Sequence, residues 1–113
     1  MQNFSAFLAT LSANPHLKID TLGVSPYFGK PIQIMIIADS ASFSPKQTIW
    51  INARTHSAET GPSFLLEGLI HAILADDVLG RTLSKQYIFK IVPMHNQDGI
   101  ILGNYRTNAT KQP

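Results

Sequence analysis

A chain of 113 residues, 44% of them apolar and 14% charged, is long enough for one compact domain, too short for two, and too apolar for a disordered segment. Nine Lys and Arg against seven Asp and Glu leave a net charge of +2, scattered without the basic run or stripe that tracks phosphates, so nucleic acid is not an expected partner. With no cysteine present, disulfides, thiolate metal sites and cysteine nucleophiles are excluded, and any metal must sit on His, Asp or Glu.

The first predicted element is a helix over residues 4–13, where Phe4, Phe7, Leu8 and Leu11 share one helical face and Asn3 is placed to cap it. No Lys or Arg precedes it, and Ser5, Thr10 and Ser12 interrupt it, so it does not read as a signal peptide. No segment approaches the roughly 20 apolar residues needed to span a bilayer. The expectation is a soluble, cytoplasmic protein with no membrane partner.

Asn14-Pro15 ends the helical pattern, and a short strand is predicted over 18–22, stopping at Gly23. Ser25-Pro26-Tyr27-Phe28-Gly29-Lys30-Pro31 is turn chemistry, leading into an apolar strand over 32–38. A loop over 40–47 containing Pro45 separates it from a β-branched and aromatic strand over 48–53. Thr60-Gly61-Pro62 supplies a cap and an early proline for a helix over 63–76, and a shorter helix follows over 77–85. Residues 87–92 form another buried strand, 93–99 a loop, and 100–102 a last short strand before a polar stretch from Gly103 onward. Strands alternate with helices without any internal repeat. That order predicts an α/β fold, a mixed, mostly parallel sheet flanked by helices.

Chemistry concentrates where the strand ending at Ala53 runs through Arg54-Thr55-His56-Ser57-Ala58-Glu59-Thr60 into a helix. In α/β sheets the carboxyl ends of strands are where ligands gather. A three-residue separation across a tight turn can bring the His56 imidazole and the Glu59 carboxylate to one ion, and nitrogen and oxygen donors suit zinc. The plainer alternative for Glu59 is a favourable charge at a helix N-terminus. Arg54 reads as a salt bridge or solvent contact and is not among the candidates. Ser63, Glu67 and His71, four residues apart, read as the solvent face of an apolar helix. Asn108-Ala109-Thr110 matches a glycosylation sequon, which carries little weight without a secretion signal.

Three blocks in order resemble the zinc metallocarboxypeptidases, specifically their cytosolic carboxypeptidase-like branch. They are Ile49-Trp50-Ile51-Asn52-Ala53-Arg54-Thr55-His56-Ser57-Ala58-Glu59-Thr60, then Phe89-Lys90-Ile91-Val92-Pro93-Met94-His95-Asn96-Gln97-Asp98-Gly99, then Gly103-Asn104-Tyr105-Arg106. Leu22-Gly23-Val24-Ser25 with Gly29-Lys30-Pro31-Ile32 resembles the family's lead-in to its catalytic domain, so the likeness covers most of residues 4–106. The resemblance implies a Zn2+ ion held by His56, Glu59 and a histidine far downstream, with an activated water as nucleophile. It also implies that Arg106 polarises the scissile carbonyl and stabilises the oxyanion. His95 stands where the branch usually has an apolar residue, and Gln97 where the family's Asn-Pro-Asp-Gly block has proline. A loop histidine is the simpler account of His95 than a substitute ligand.

The family's Gly-x-Asp-x-Asn-Arg segment, third zinc ligand and general-base glutamate are not found in these 113 residues. Residues 1–113 are therefore expected to be the N-terminal portion, about half, of a zinc carboxypeptidase-like catalytic domain. The complete domain would hydrolyse the C-terminal bond of a peptide or protein, while this stretch alone would be inactive, its partner being the missing C-terminal part or a second chain. Two alternatives remain open from sequence: a zinc-dependent deacylase of N-acyl amino acids sharing the His-x-x-Glu turn, and a non-catalytic binding module with a degenerate zinc site.

Overall fold

The computed structural model describes residues 2–11, 13–41, 46–56, 58–104 and 109–110. Its elements run α1 (Gln2–Leu11), β1 (Leu17–Val24), β2 (Pro31–Ile37), β3 (Gln47–Asn52), α2 (Gly61–Leu74), α3 (Val78–Gln86), β4 (Tyr87–Val92) and α4 (Gln97–Leu102). The four strands form one open sheet in the order β1-β2-β4-β3.

The α/β class and the mixed sheet agree with the sequence expectation, but the predominance of parallel strands does not. Only β3 and β4 run parallel, whereas β1–β2 and β2–β4 are antiparallel. The connections explain the difference. β1 and β2 are joined by the short turn at residues 25–30, closed by Ser25 N–H to the Lys30 carbonyl at 2.8 Å and using a left-handed Gly29 at φ 62°, which allows only an antiparallel return. β3 reaches β4 through α2 and α3, the long crossover that a parallel pair requires.

Alternating residues build two apolar rows across the sheet. Leu17, Ile37, Phe89 and Ile49 stand side by side in one row, and Ile19, Met35, Ile91 and Ile51 in the next. Onto this face pack Leu8 of α1 and Leu66, Ile70 and Ile73 of α2, the last three at the spacing of one helical stripe. Met35, Ile37, Ile70 and Ile91 are fully buried, each worth about 1.5–3 kcal/mol of apolar transfer. On the other face Trp50 is 56% exposed, with Lys90 Nζ 5.1 Å from its ring centroid.

Boundaries differ modestly from expectation. α1 begins at Gln2, so Asn3 lies within the helix and not ahead of it; Phe7, Leu8 and Leu11 meet the core, and the Asn3 and Phe4 side chains lie outside what the structure describes. Thr60 occupies the cap position of α2 but is itself helical and makes no side-chain cap bond, Pro62 in the first turn providing the start. Asp77 does cap α3, its Oδ1 accepting from Gly80 N–H at 2.8 Å. Pro45, in the loop expected over 40–47, lies outside the described residues.

The strand expected at 100–102 is instead the end of α4. Asn96 caps that helix, its Oδ1 accepting from Gly99 N–H at 3.1 Å, and Gly103 closes it at φ 68°. A capping side chain at one end and a left-handed glycine at the other specify a helical turn, and three apolar residues are too few to override them. No helix among the described residues is long and apolar enough to cross a membrane.

Candidate metal centre

The turn carrying His56 and Glu59 is mounted on an extension of the parallel β3–β4 pair. Beyond the last residue of β3, Ala53 donates its N–H to the Val92 carbonyl at 2.9 Å. The segment following β4 then binds back, His95 N–H to the Ala53 carbonyl at 3.0 Å and Asn96 N–H to the Arg54 carbonyl at 3.1 Å. Arg54 adopts a positive φ of 59° and the chain leaves the sheet there. Glu59 N–H returns to the His56 carbonyl at 3.1 Å.

At the tip, His56 Nδ1 lies 3.3 Å from Glu59 Oε1, with the two side chains 48% and 44% exposed. Two donors bound at about 2.0–2.2 Å to a tetrahedral zinc stand roughly 3.4 Å apart. The observed separation is that of a direct hydrogen bond between the two side chains; it is also close to the spacing at which both would reach one zinc, whose preferred donor types they are. Among the described residues no group of three or more His, Cys, Asp or Glu could hold a metal. The pair is thus a two-donor arrangement.

The other sequence candidates fall elsewhere. His95, exposed, places Nδ1 3.4 Å from Thr55 Oγ1, and it forms no three-donor group with His56 and Glu59. Arg106 and the sequon asparagine, Asn108, lie outside the described residues. Gln97 starts α4. The supposed solvent stripe of α2 is partly engaged: Ser63 Oγ receives Arg54 Nη1 at 3.3 Å, and the His71 ring meets Phe7 edge-on at 4.9 Å between centroids.

Two further residues, Arg54, which sequence reads as a salt bridge or solvent contact, and Asp98, are placed to support the fold around the site. Arg54 is half-buried, and desolvation lowers the pKa of its guanidinium from the ordinary value, though an arginine stays charged. Asp98 is 3% exposed and anchors the β1–β2 turn to α4, accepting from Tyr27 N–H at 2.8 Å and Phe28 N–H at 3.2 Å. Burial pushes its carboxyl up, but the Ser25 hydroxyl and the two backbone donors outweigh that, so its pKa lies below the usual value. The signal for Asp98 was an acid inside a loop of turn-forming residues. Arg54, expected in a salt bridge or in contact with solvent, instead reaches the Ser63 hydroxyl at 3.3 Å, from a left-handed backbone not expected of arginine.

Residues 4–112 match the family model described as zinc carboxypeptidase. A cytosolic carboxypeptidase-like protein 5 of Danio rerio is 34% identical over 85 residues, 74% of this chain and 10% of the relative. Cytosolic carboxypeptidase 3 of Mus musculus is 43% identical over 65 residues, 58% of this chain and 6% of that protein. Among solved structures, a metallo-carboxypeptidase from Burkholderia cenocepacia superposes with a TM-score of 0.89 at 31% identity, over 98% of this chain and 30% of its own. The chain therefore spans a tenth or less of these two curated relatives and under a third of that structure. With the matching model running nearly end to end, the chain belongs to the zinc carboxypeptidase family.

Proposed function

We propose that residues 1–113 form the N-terminal portion of a zinc carboxypeptidase-like catalytic domain, in which His56 and Glu59 are two of the zinc ligands. The observation that carries this is the 3.3 Å approach of His56 Nδ1 to Glu59 Oε1, in a turn at the carboxyl end of a parallel strand. Zinc held there supplies a Lewis acid that activates water and polarises a carbonyl. The chain's own part is to orient an imidazole and a carboxylate from a turn hydrogen-bonded to the extended β3–β4 ladder. A catalytic zinc takes three protein ligands, so further donors come from outside the described residues, and the 113 residues by themselves are inactive.

The substrate of the complete domain is the C-terminus of a peptide or protein, and Arg106, by family resemblance, is the residue that steadies the oxyanion. Carboxypeptidase names among the matched relatives and structures favour this over the N-acyl amino acid deacylase and the non-catalytic module. The cytosolic relatives support a cytoplasmic location.

Calorimetric zinc titration of the chain, with His56→Ala and Glu59→Ala in parallel, tests the ligand assignment. Each substitution is expected to weaken zinc binding at least about tenfold, or about 1.4 kcal/mol. Binding that neither substitution alters overturns the assignment.

A further inference from the structure

Arg54 is the one non-glycine residue with positive φ among the described residues. In that region Cβ crowds the backbone, whereas glycine enters without strain. Glycine would relieve that strain but has no side chain, and here the side chain reaches across the turn. The Arg54 carbonyl is held by Asn96 N–H at 3.1 Å, which fixes the residue to the segment following β4. Its guanidinium meanwhile extends to α2, placing Nη1 3.3 Å from Ser63 Oγ.

Ser63 sits in the first turn of α2, with its N–H on the Thr60 carbonyl at 3.1 Å. The stretch between Arg54 and Ser63 holds both His56 and Glu59. The Arg54 side chain therefore bridges the two ends of the turn that presents them, one end fixed to the sheet and the other to the helix. A planar guanidinium with a rigid set of donors suits such a bridge better than the flexible point charge of lysine.

We propose that Arg54 is a positioning residue, its guanidinium closing the turn against Ser63 so that His56 and Glu59 keep the separation at which they share a metal ion. This rests on the reading of those two residues as zinc ligands. Partners that orient metal ligands commonly change affinity by about tenfold or more when removed.

The test compares the chain with Arg54→Asn, Arg54→Gly, Ser63→Ala and the Arg54→Asn/Ser63→Ala pair. Asparagine tolerates the left-handed backbone but is too short to span the turn, and glycine removes the strain altogether. Thermal unfolding, zinc calorimetry and backbone heteronuclear NOE values across the turn are read for each. Arg54→Gly should unfold at the same or a higher temperature, while Arg54→Asn and Ser63→Ala each weaken zinc binding by about tenfold and lower the NOE values. The pair should be no worse than Arg54→Asn alone, because Ser63→Ala then removes a contact that is already broken.

Zinc affinity and NOE values unchanged in Arg54→Asn and Ser63→Ala overturn the proposal, whatever happens to the unfolding temperature. If the unsubstituted chain, with only two of the donors, holds zinc too weakly for calorimetry, the NOE values decide: a loosened turn in both variants supports the bridge, and an unchanged turn refutes it.

Discussion

Replacing Asp98 by alanine should destabilise the fold by about 2–4 kcal/mol. Three donors lose one charged acceptor: the Ser25 hydroxyl, with Ser25 only 2% exposed, and the backbone N–H groups of Tyr27 and Phe28 at 2.8 and 3.2 Å. Hydrogen bonds to a charged group contribute about 1.5–3 kcal/mol each. The full sum is too large here, since Tyr27 and Phe28 have exposed side chains and water can reach part of the turn once the carboxylate is gone. Urea unfolding, extrapolated linearly, is the assay. At a slope of about 2 kcal/mol/M, the midpoint should fall by about 1–2 M with the slope unchanged. A loss below about 1 kcal/mol, the middle of the range for ordinary substitutions, would refute the idea that this carboxylate anchors the β1–β2 turn to α4. The same carboxylate predicts a pH effect. Its folded pKa is depressed, so its contribution is complete above the unfolded value of about 3.9 and disappears as pH falls through the lower folded value. Asp98→Asn should therefore show a flatter loss of stability on acidification than the unsubstituted chain.

Gly80→Ala should destabilise by about 1–3 kcal/mol in thermal unfolding, even though alanine is the better helix former by about 1 kcal/mol. A Cβ at that position would stand 2.2 Å from the Ala75 carbonyl oxygen, a backbone atom that cannot swing aside. His95→Ala should leave zinc affinity within about twofold by calorimetry, a change of about 0.4 kcal/mol, because its imidazole faces Thr55 and stands apart from the two candidate ligands.

The sequence made β4 legible because Tyr87, Ile88, Phe89, Ile91 and Val92 combine β-branched and aromatic residues in one bounded run, and the observed strand has those limits. It made α2 legible through Pro62 and the apolar-rich run that follows, of which Leu66, Ile70 and Ile73 prove to be the buried residues. Strand direction was not legible, since alternation records which face a residue occupies and is indifferent to which way its neighbour runs. The helix over 97–102 was missed because Ile100, Ile101 and Leu102 suggested a strand on composition, whereas Asn96 and Gly103 decide the conformation from outside that run. At the candidate centre, the placement of His56 and Glu59 in one turn followed from their spacing after a strand. The bridge from Arg54 to Ser63 did not, because it depends on a backbone conformation that arginine rarely adopts.

The order β1-β2-β4-β3 has a consequence for how the chain acquires its structure. β1 and β2 are neighbours in sequence and can meet as soon as their turn forms, with only a short loop to close. β3 has no such early partner: among the described strands it pairs with β4, which is made after two intervening helices and must also dock against β2, setting Phe89 opposite Ile37 and Ile49 at once. Among the described strands, β4 is thus inserted between two already synthesised ones, a non-local step of the kind that slows folding. The turn bearing His56 and Glu59 acquires its fixed mount only at that moment, since the segment that clamps Ala53 and Arg54 arrives directly behind β4.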